Sequence, residues 1–148
     1  MKDVVVKNNA SNNSRKATGF GPAWILLCVT LAVHVVDEAV TDFLGFYNPA
    51  VESIRQDWPY FPLPTFTFPV WLALLLFAVI SLSLLSPFAF GTPRRMKILA
   101  WAFGIVMLLN GIGHIAISVY LGRAVSGVYT SPLVLIFSIY LLLKIRNG

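Results

Sequence analysis

The residues able to do chemistry sit inside sequence that is otherwise apolar. The run around residues 22–45 contains His34-Val35-Val36-Asp37-Glu38. His34, Glu38 and Asp42 are spaced four apart and form one stripe, because residues at i and i+4 stack on a helix face; Asp37 lies beside it. Asn110, His114 and Ser118 make a second stripe of the same spacing in a later apolar run. Imidazole and carboxylate are ligands suited to Zn or non-haem Fe, which makes His34, Glu38 and His114 the candidate metal set. The same groups, with Asp37, could instead work as catalytic acids and bases. Asn110 and Asp42 are candidate binding residues, Asn110 by orienting His34 or a substrate.

Such groups need elements that bring them together. Four apolar segments, about 22–45, 67–88, 97–122 and 125–143, each approach the ~20 residues that cross a bilayer. An acid in mid-span costs about 2.5–3.5 kcal/mol on insertion scales, while each Leu or Val returns only about 0.3–0.6 kcal/mol. The polar stripes must therefore face inward and find partners. The first and third segments run in the same direction. Counted from their inner ends, His34 and Asn110 lie at similar depth, with Glu38 and His114 about one turn further out. Ala100, Gly104, Gly111 and Gly113 in the third segment are expected to let the two ladders meet.

Composition points the same way. Of 148 residues, 57% are hydrophobic and 11% charged, against roughly 25% charged in soluble domains. This excludes a soluble globular domain and a disordered chain. A single Cys excludes a disulfide framework and a Cys-rich zinc module. The net charge is +5, but its cations do not cluster on a soluble face, so no nucleic-acid partner is expected. Lys2, Lys7, Arg15 and Lys16, then Arg94, Arg95 and Lys97, then Lys144 and Arg146 form three basic patches. Short cytoplasmic segments favour Lys and Arg. Both termini and the 89–97 loop are thus placed in the cytoplasm, and loops 46–66 and 123–131 outside. Trp24, Trp101 and Tyr140 fall toward the inner edge, and Tyr47, Trp58, Tyr60 and Trp71 toward the outer one.

The expected architecture is all-α, an integral four-helix transmembrane bundle in the cell membrane. A flexible cytoplasmic tail over 1–20 precedes a membrane domain over 21–148. The glycosylation patterns at Asn9 and Asn12 fall in that tail. The first span reads as a retained helix, since acids interrupt it and no small-residue cleavage site follows. It starts after Gly21-Pro22 and stops at Gly45. Asn48-Pro49 predicts an N-cap with Pro at the first position of a short interfacial helix over 49–57. Pro59, Pro62 and Pro64 hold the rest of the outer loop extended. Gly91-Thr92-Pro93 makes a turn, and the last helix begins at Ser131-Pro132. Cys28 reads as a buried thiol and Ser118 as helix packing. No nucleophilic triad, phosphate loop or dinucleotide fingerprint is present.

The motifs resemble those of the HXXEE family of small multi-pass membrane proteins. His34-x-x-Asp37-Glu38 is similar to its signature, with Asp for the first Glu. Asn110-x-x-x-His114 is similar to its second motif. Arg123-x-x-x-Gly127-x-x-Thr130 resembles a third, with Ala124 and Ser126 where the family has Tyr and Pro. The resemblance spans about residues 25–143. It implies a membrane-embedded protein whose polar residues are its hallmark and whose biochemical role is undefined. A more distant analogy, in helix count and site chemistry, is to the EXPERA-type four-helix proteins, which include sterol isomerases.

Three readings stand at this point. One is a metal-binding or acid–base site, with Zn or Fe as the candidate cofactor, acting on a lipophilic small molecule; that would be a lipid-modifying or isomerase-like enzyme. The second is a structural or accessory protein whose polar cluster only fixes helix packing. The third is a small-molecule binder among membrane lipids, or a transporter, which at this size would work as a homodimer.

Overall fold

The computed structural model describes residues 20–91 and 93–147, and everything described is helix, turn or connecting loop. The 1–19 tail with its glycosylation patterns, and Thr92 of the expected turn, lie outside the described residues. Six helices follow in order: α1 Phe20–Val40, α2 Phe43–Asp57, α3 Phe68–Leu84, α4 Ser86–Gly91, α5 Arg94–Leu121 and α6 Ser131–Asn147. Gly21–Val40 and Arg94–Leu121 are long and apolar enough to cross a membrane, and Phe68–Leu84 is a shorter apolar helix.

The first helix stops at Val40, five residues before the expected end at Gly45. Asp42 causes the break. It adopts a left-handed conformation at φ 57° and ψ 58°, and its carboxylate accepts from the Gly45 N–H at 3.1 Å, capping α2. Asp is one of the few residues that tolerate this region, because its short side chain can bond locally. Hydropathy alone is blind to a conformational stop placed between apolar residues.

Asn48-Pro49 lies inside α2 and does not start a helix. Asn48 instead brackets the Pro-rich strap: its Nδ2 donates to Phe66 O at 2.8 Å, and its Oδ1 accepts from Phe66 N at 3.0 Å. Tyr47 donates to Pro64 O and Arg55 to Leu63 O. The Pro-rich segment 58–67 is thereby tied along α2. The last helix begins at Ser131, as the Ser-Pro signal predicts.

Helix α6 packs against both α1 and α5, and the latter pair is the most extensive in the fold. The small residues of α5 serve that contact. A Cβ on Gly104 would lie 2.8 Å from Leu142 Cδ2, and one on Gly111 would meet Leu135 and the Ser131 carbonyl. Gly113 faces open space. The expectation that these glycines bring α5 onto α1 is therefore corrected: α6 occupies that place. α1 and α5 meet through long side chains, Trp24 on Phe103 at 5.1 Å and His34 on His114 at 5.0 Å between ring centroids. Trp24 is fully buried in this core, and its indole N–H donates to Leu82 O at 3.1 Å. That bond satisfies its one donor. The apolar core runs from Trp24, Leu27 and Leu31 through Phe103 and Met107 to Leu141 and Ile145. The polar residues begin where this core ends.

Candidate metal centre

α1 carries His34 and Glu38 one turn apart, so both project toward the same neighbour. α5 carries His114 to meet them. His34 is 1%, Glu38 5% and His114 8% exposed. Glu38 Oε1 lies 3.1 Å from His114 Nε2 and 3.5 Å from His34 Nε2. One candidate ligand atom from each of the three residues falls within 4.8 Å of the others.

The hydrogen bonds behind the rings decide what those atoms present. His114 Nδ1 lies 2.6 Å from the Ser126 carbonyl. A carbonyl only accepts, so Nδ1 carries the proton. His34 Nδ1 lies 2.7 Å from Thr130 Oγ1. The Thr130 hydroxyl has one proton and donates it to Asp37 Oδ2 at 2.8 Å. Toward His34 it is therefore an acceptor, and His34 Nδ1 is also the protonated nitrogen. In the neutral rings both Nε2 atoms are left with lone pairs. Those two lone pairs and a carboxylate oxygen converge on one buried point, and His34 Nε2 has no hydrogen-bond partner among the described residues. Three acceptors together repel unless something positive joins them.

Two of the three ligand separations suit a metal ion, and the three atoms as a set lie within 4.8 Å. Ligands about 2.0–2.2 Å from an ion at 90–109° angles stand about 2.9–3.5 Å apart. The two Glu38–His separations, 3.1 and 3.5 Å, fall there. Ligating imidazoles characteristically donate their other N–H to a carbonyl or carboxylate, and both rings here have such a donor arrangement, His34 through the Thr130 hydroxyl.

The loop 122–130 holds the far side. Gly122 and Gly127 are both left-handed, at φ 62° and 78°. A Cβ on Gly127 would lie 2.7 Å from His114 Cε1 and 3.0 Å from His34 Cε1, so only glycine fits against the two rings. Asp37 Oδ2 accepts from both the backbone N–H and the hydroxyl of Thr130. The Ser126 hydroxyl donates to Glu38 O at 3.2 Å and touches Thr41 Oγ1 at 2.8 Å. Phe43, at the start of α2, tilts against the His114 ring with centroids 6.0 Å apart and stacks on Trp71. An aromatic wall thus screens the imidazole.

Of the residues singled out from sequence, His34, Glu38 and His114 converge. Asp37 stands behind them, holding Thr130 and through it His34. Asp42 caps α2 at the surface and is not in the cluster. Asn110 is not hydrogen-bonded to the cluster; its Oδ1 is buried without a partner among the described residues. Ser118 accepts from Val125 N and anchors the loop. Thr130, Gly127 and Ser126 were not among the candidates. The one signal for them was the Gly127-x-x-Thr130 spacing, whose meaning needs the loop folded over the rings.

A family model described as a protein of unknown function with an HXXEE motif matches residues 24–141, which include every residue of the cluster. No curated protein and no solved structure matches the chain.

Proposed function

The chain belongs to the family of proteins of unknown function with the HXXEE motif, and from that premise we propose that it is a multi-pass membrane metalloprotein. His34 Nε2, Glu38 Oε1 and His114 Nε2 hold one Zn or Fe ion in the outer half of a four-helix transmembrane bundle. Its substrate is a lipophilic small molecule. Two His and one carboxylate leave coordination positions open, and an ion so held acts as a Lewis acid or activates water or oxygen. Asp37, Thr130 and Ser126 fix both imidazoles with Nε2 turned inward. Gly127 lets the loop close over the rings, and Phe43 and Trp71 keep water off one side.

The membrane reading is supported by the exterior. Val29, Val33, Val36 and Val40 of α1, Phe77 and Leu84 of α3, and Val106 and Leu109 of α5 are all exposed. An apolar outside of this extent favours lipid over water. The three basic patches then put both termini in the cytoplasm and loops 46–66 and 123–131 outside.

The metal reading is carried by one observation: two ring lone pairs and a carboxylate oxygen meet at a buried point while both Nδ1 atoms are otherwise engaged. A proton shared by Glu38 and His114 would satisfy one edge and leave His34 Nε2 unsatisfied. A metal satisfies all three. Elemental analysis of the detergent-purified full chain is the test. One Zn or Fe per chain, lost in Glu38→Gln and His114→Ala, is expected. A metal-free wild type whose fold collapses with either substitution would replace this reading with a purely structural polar cluster.

A further inference from the structure

A cavity of about 570 Å³ opens between α2 and the loop 122–130. Its size is in the range of small-molecule sites. Thr41 and Ser126 line it, and Ser126 is the residue whose carbonyl holds His114. Phe46 and Pro49 give it an apolar wall, while Asp42 and Arg123 bring opposite charges to it. Asp42 and Arg123 do not form an ion pair with one another, since the ion pairs among the described residues are those of Glu38. Asp42 spends one carboxylate oxygen on its helix cap and keeps the other. A carboxylate and a guanidinium left apart in one amphipathic cavity complement a ligand that carries both charges. Arg is the side chain whose fork matches a phosphate.

We infer that this cavity binds a zwitterionic amine–phosphate head group, its phosphate on Arg123 and its primary ammonium on Asp42. The inference rests on the membrane reading above, in which the α1–α2 break lies at the level of the outer head groups. It names the substrate class of that reading: an amphiphile whose head group, held by Arg123 and Asp42, lies beside Ser126, the residue whose carbonyl holds His114. The apolar wall of Phe46 and Pro49 takes the first carbons of its chains.

The test is binding of phosphatidylethanolamine and phosphatidylglycerol in mixed micelles to the purified full chain, with free phosphoethanolamine as a third probe. Wild type should prefer phosphatidylethanolamine over phosphatidylglycerol by about tenfold, the scale of one charge-assisted bond. Arg123→Gln should weaken phosphatidylethanolamine binding by about tenfold. Asp42→Asn should abolish the preference, because Asn still caps a helix and tolerates the left-handed region but no longer attracts an ammonium. Free phosphoethanolamine binding as tightly as the lipid assigns a water-soluble ligand to the same site; binding of the lipid alone assigns the bilayer. Equal affinity for the two lipids in wild type, or either variant binding as wild type, overturns the inference. Metal content of the purified chain, and carbonate-resistant sedimentation of the membranes from which it is purified, show separately whether the metal or the membrane reading has failed.

Discussion

Substituting Gly127 by Ala tests the loop and the rings together. Two effects act at this position. An L-residue at φ 78° costs roughly 1–2 kcal/mol in backbone strain. The added methyl would also lie 2.7 Å from His114 Cε1, 2.8 Å from its Nδ1 and 3.0 Å from His34 Cε1. Neither ring can yield freely, because each is held through Nδ1. Overpacking of this kind costs about 1–3 kcal/mol. The total is about 2–5 kcal/mol. Gly122 supplies the control. Its φ is 62°, yet a Cβ there meets nothing within 4 Å, so Gly122→Ala should show the strain alone. The assay is thermal unfolding of both variants in one detergent, with and without added Zn or Fe, alongside metal titration. Gly127→Ala should be the less stable of the two and bind metal at least about tenfold more weakly, while Gly122→Ala keeps its affinity. Equal melting and equal affinity in the two variants would refute the packing of the loop on the imidazoles.

Thr130→Val keeps the volume but removes the hydroxyl between His34 and Asp37; metal affinity measured by competition with a chelator should fall about 10–100-fold, and Thr130→Ser should restore it. Asp37→Ala leaves the Thr130 N–H and hydroxyl without their acceptor, so denaturation should show a loss of about 1–3 kcal/mol. Stripping the metal should lower the unfolding temperature of wild type and leave that of Glu38→Gln unmoved, because only a folded site binds the ion. Asn48→Ala should expose the 58–67 strap to limited proteolysis while metal content stays at the wild-type level, since the bonds it removes lie on α2 and the strap.

Much of the site was legible because a helix repeats. The i, i+4 spacing of His34 and Glu38 puts both on one face whatever else the fold does, and counting depth along the two segments pairs Glu38 with His114, although the same count sets Asn110 beside His34, where the structure has the His114 ring. The apolar segments announced their helices by composition, and Ser131-Pro132 marked where the last one begins. The rest depended on features without a period. The stop at Val40 comes from one left-handed Asp, which looks like any polar residue in a hydropathy window. The partner of the α5 glycines depends on which helix packs against them, and α6 takes the place expected for α1. Thr130, Gly127 and Ser126 lie in a loop where no spacing fixes direction. Their roles follow from two conformations, left-handed Gly122 and Gly127, that fold the loop back onto the rings.

X-ray absorption at the Zn or Fe edge of the purified full chain addresses the ligand set itself. A shell of nitrogen and oxygen at about 2.0–2.2 Å with the outer scattering of two imidazoles is expected, dropping to one imidazole in His34→Ala. Sulfur in the first shell, or a spectrum that His34→Ala leaves unchanged, would contradict the assignment of His34, Glu38 and His114 as ligands.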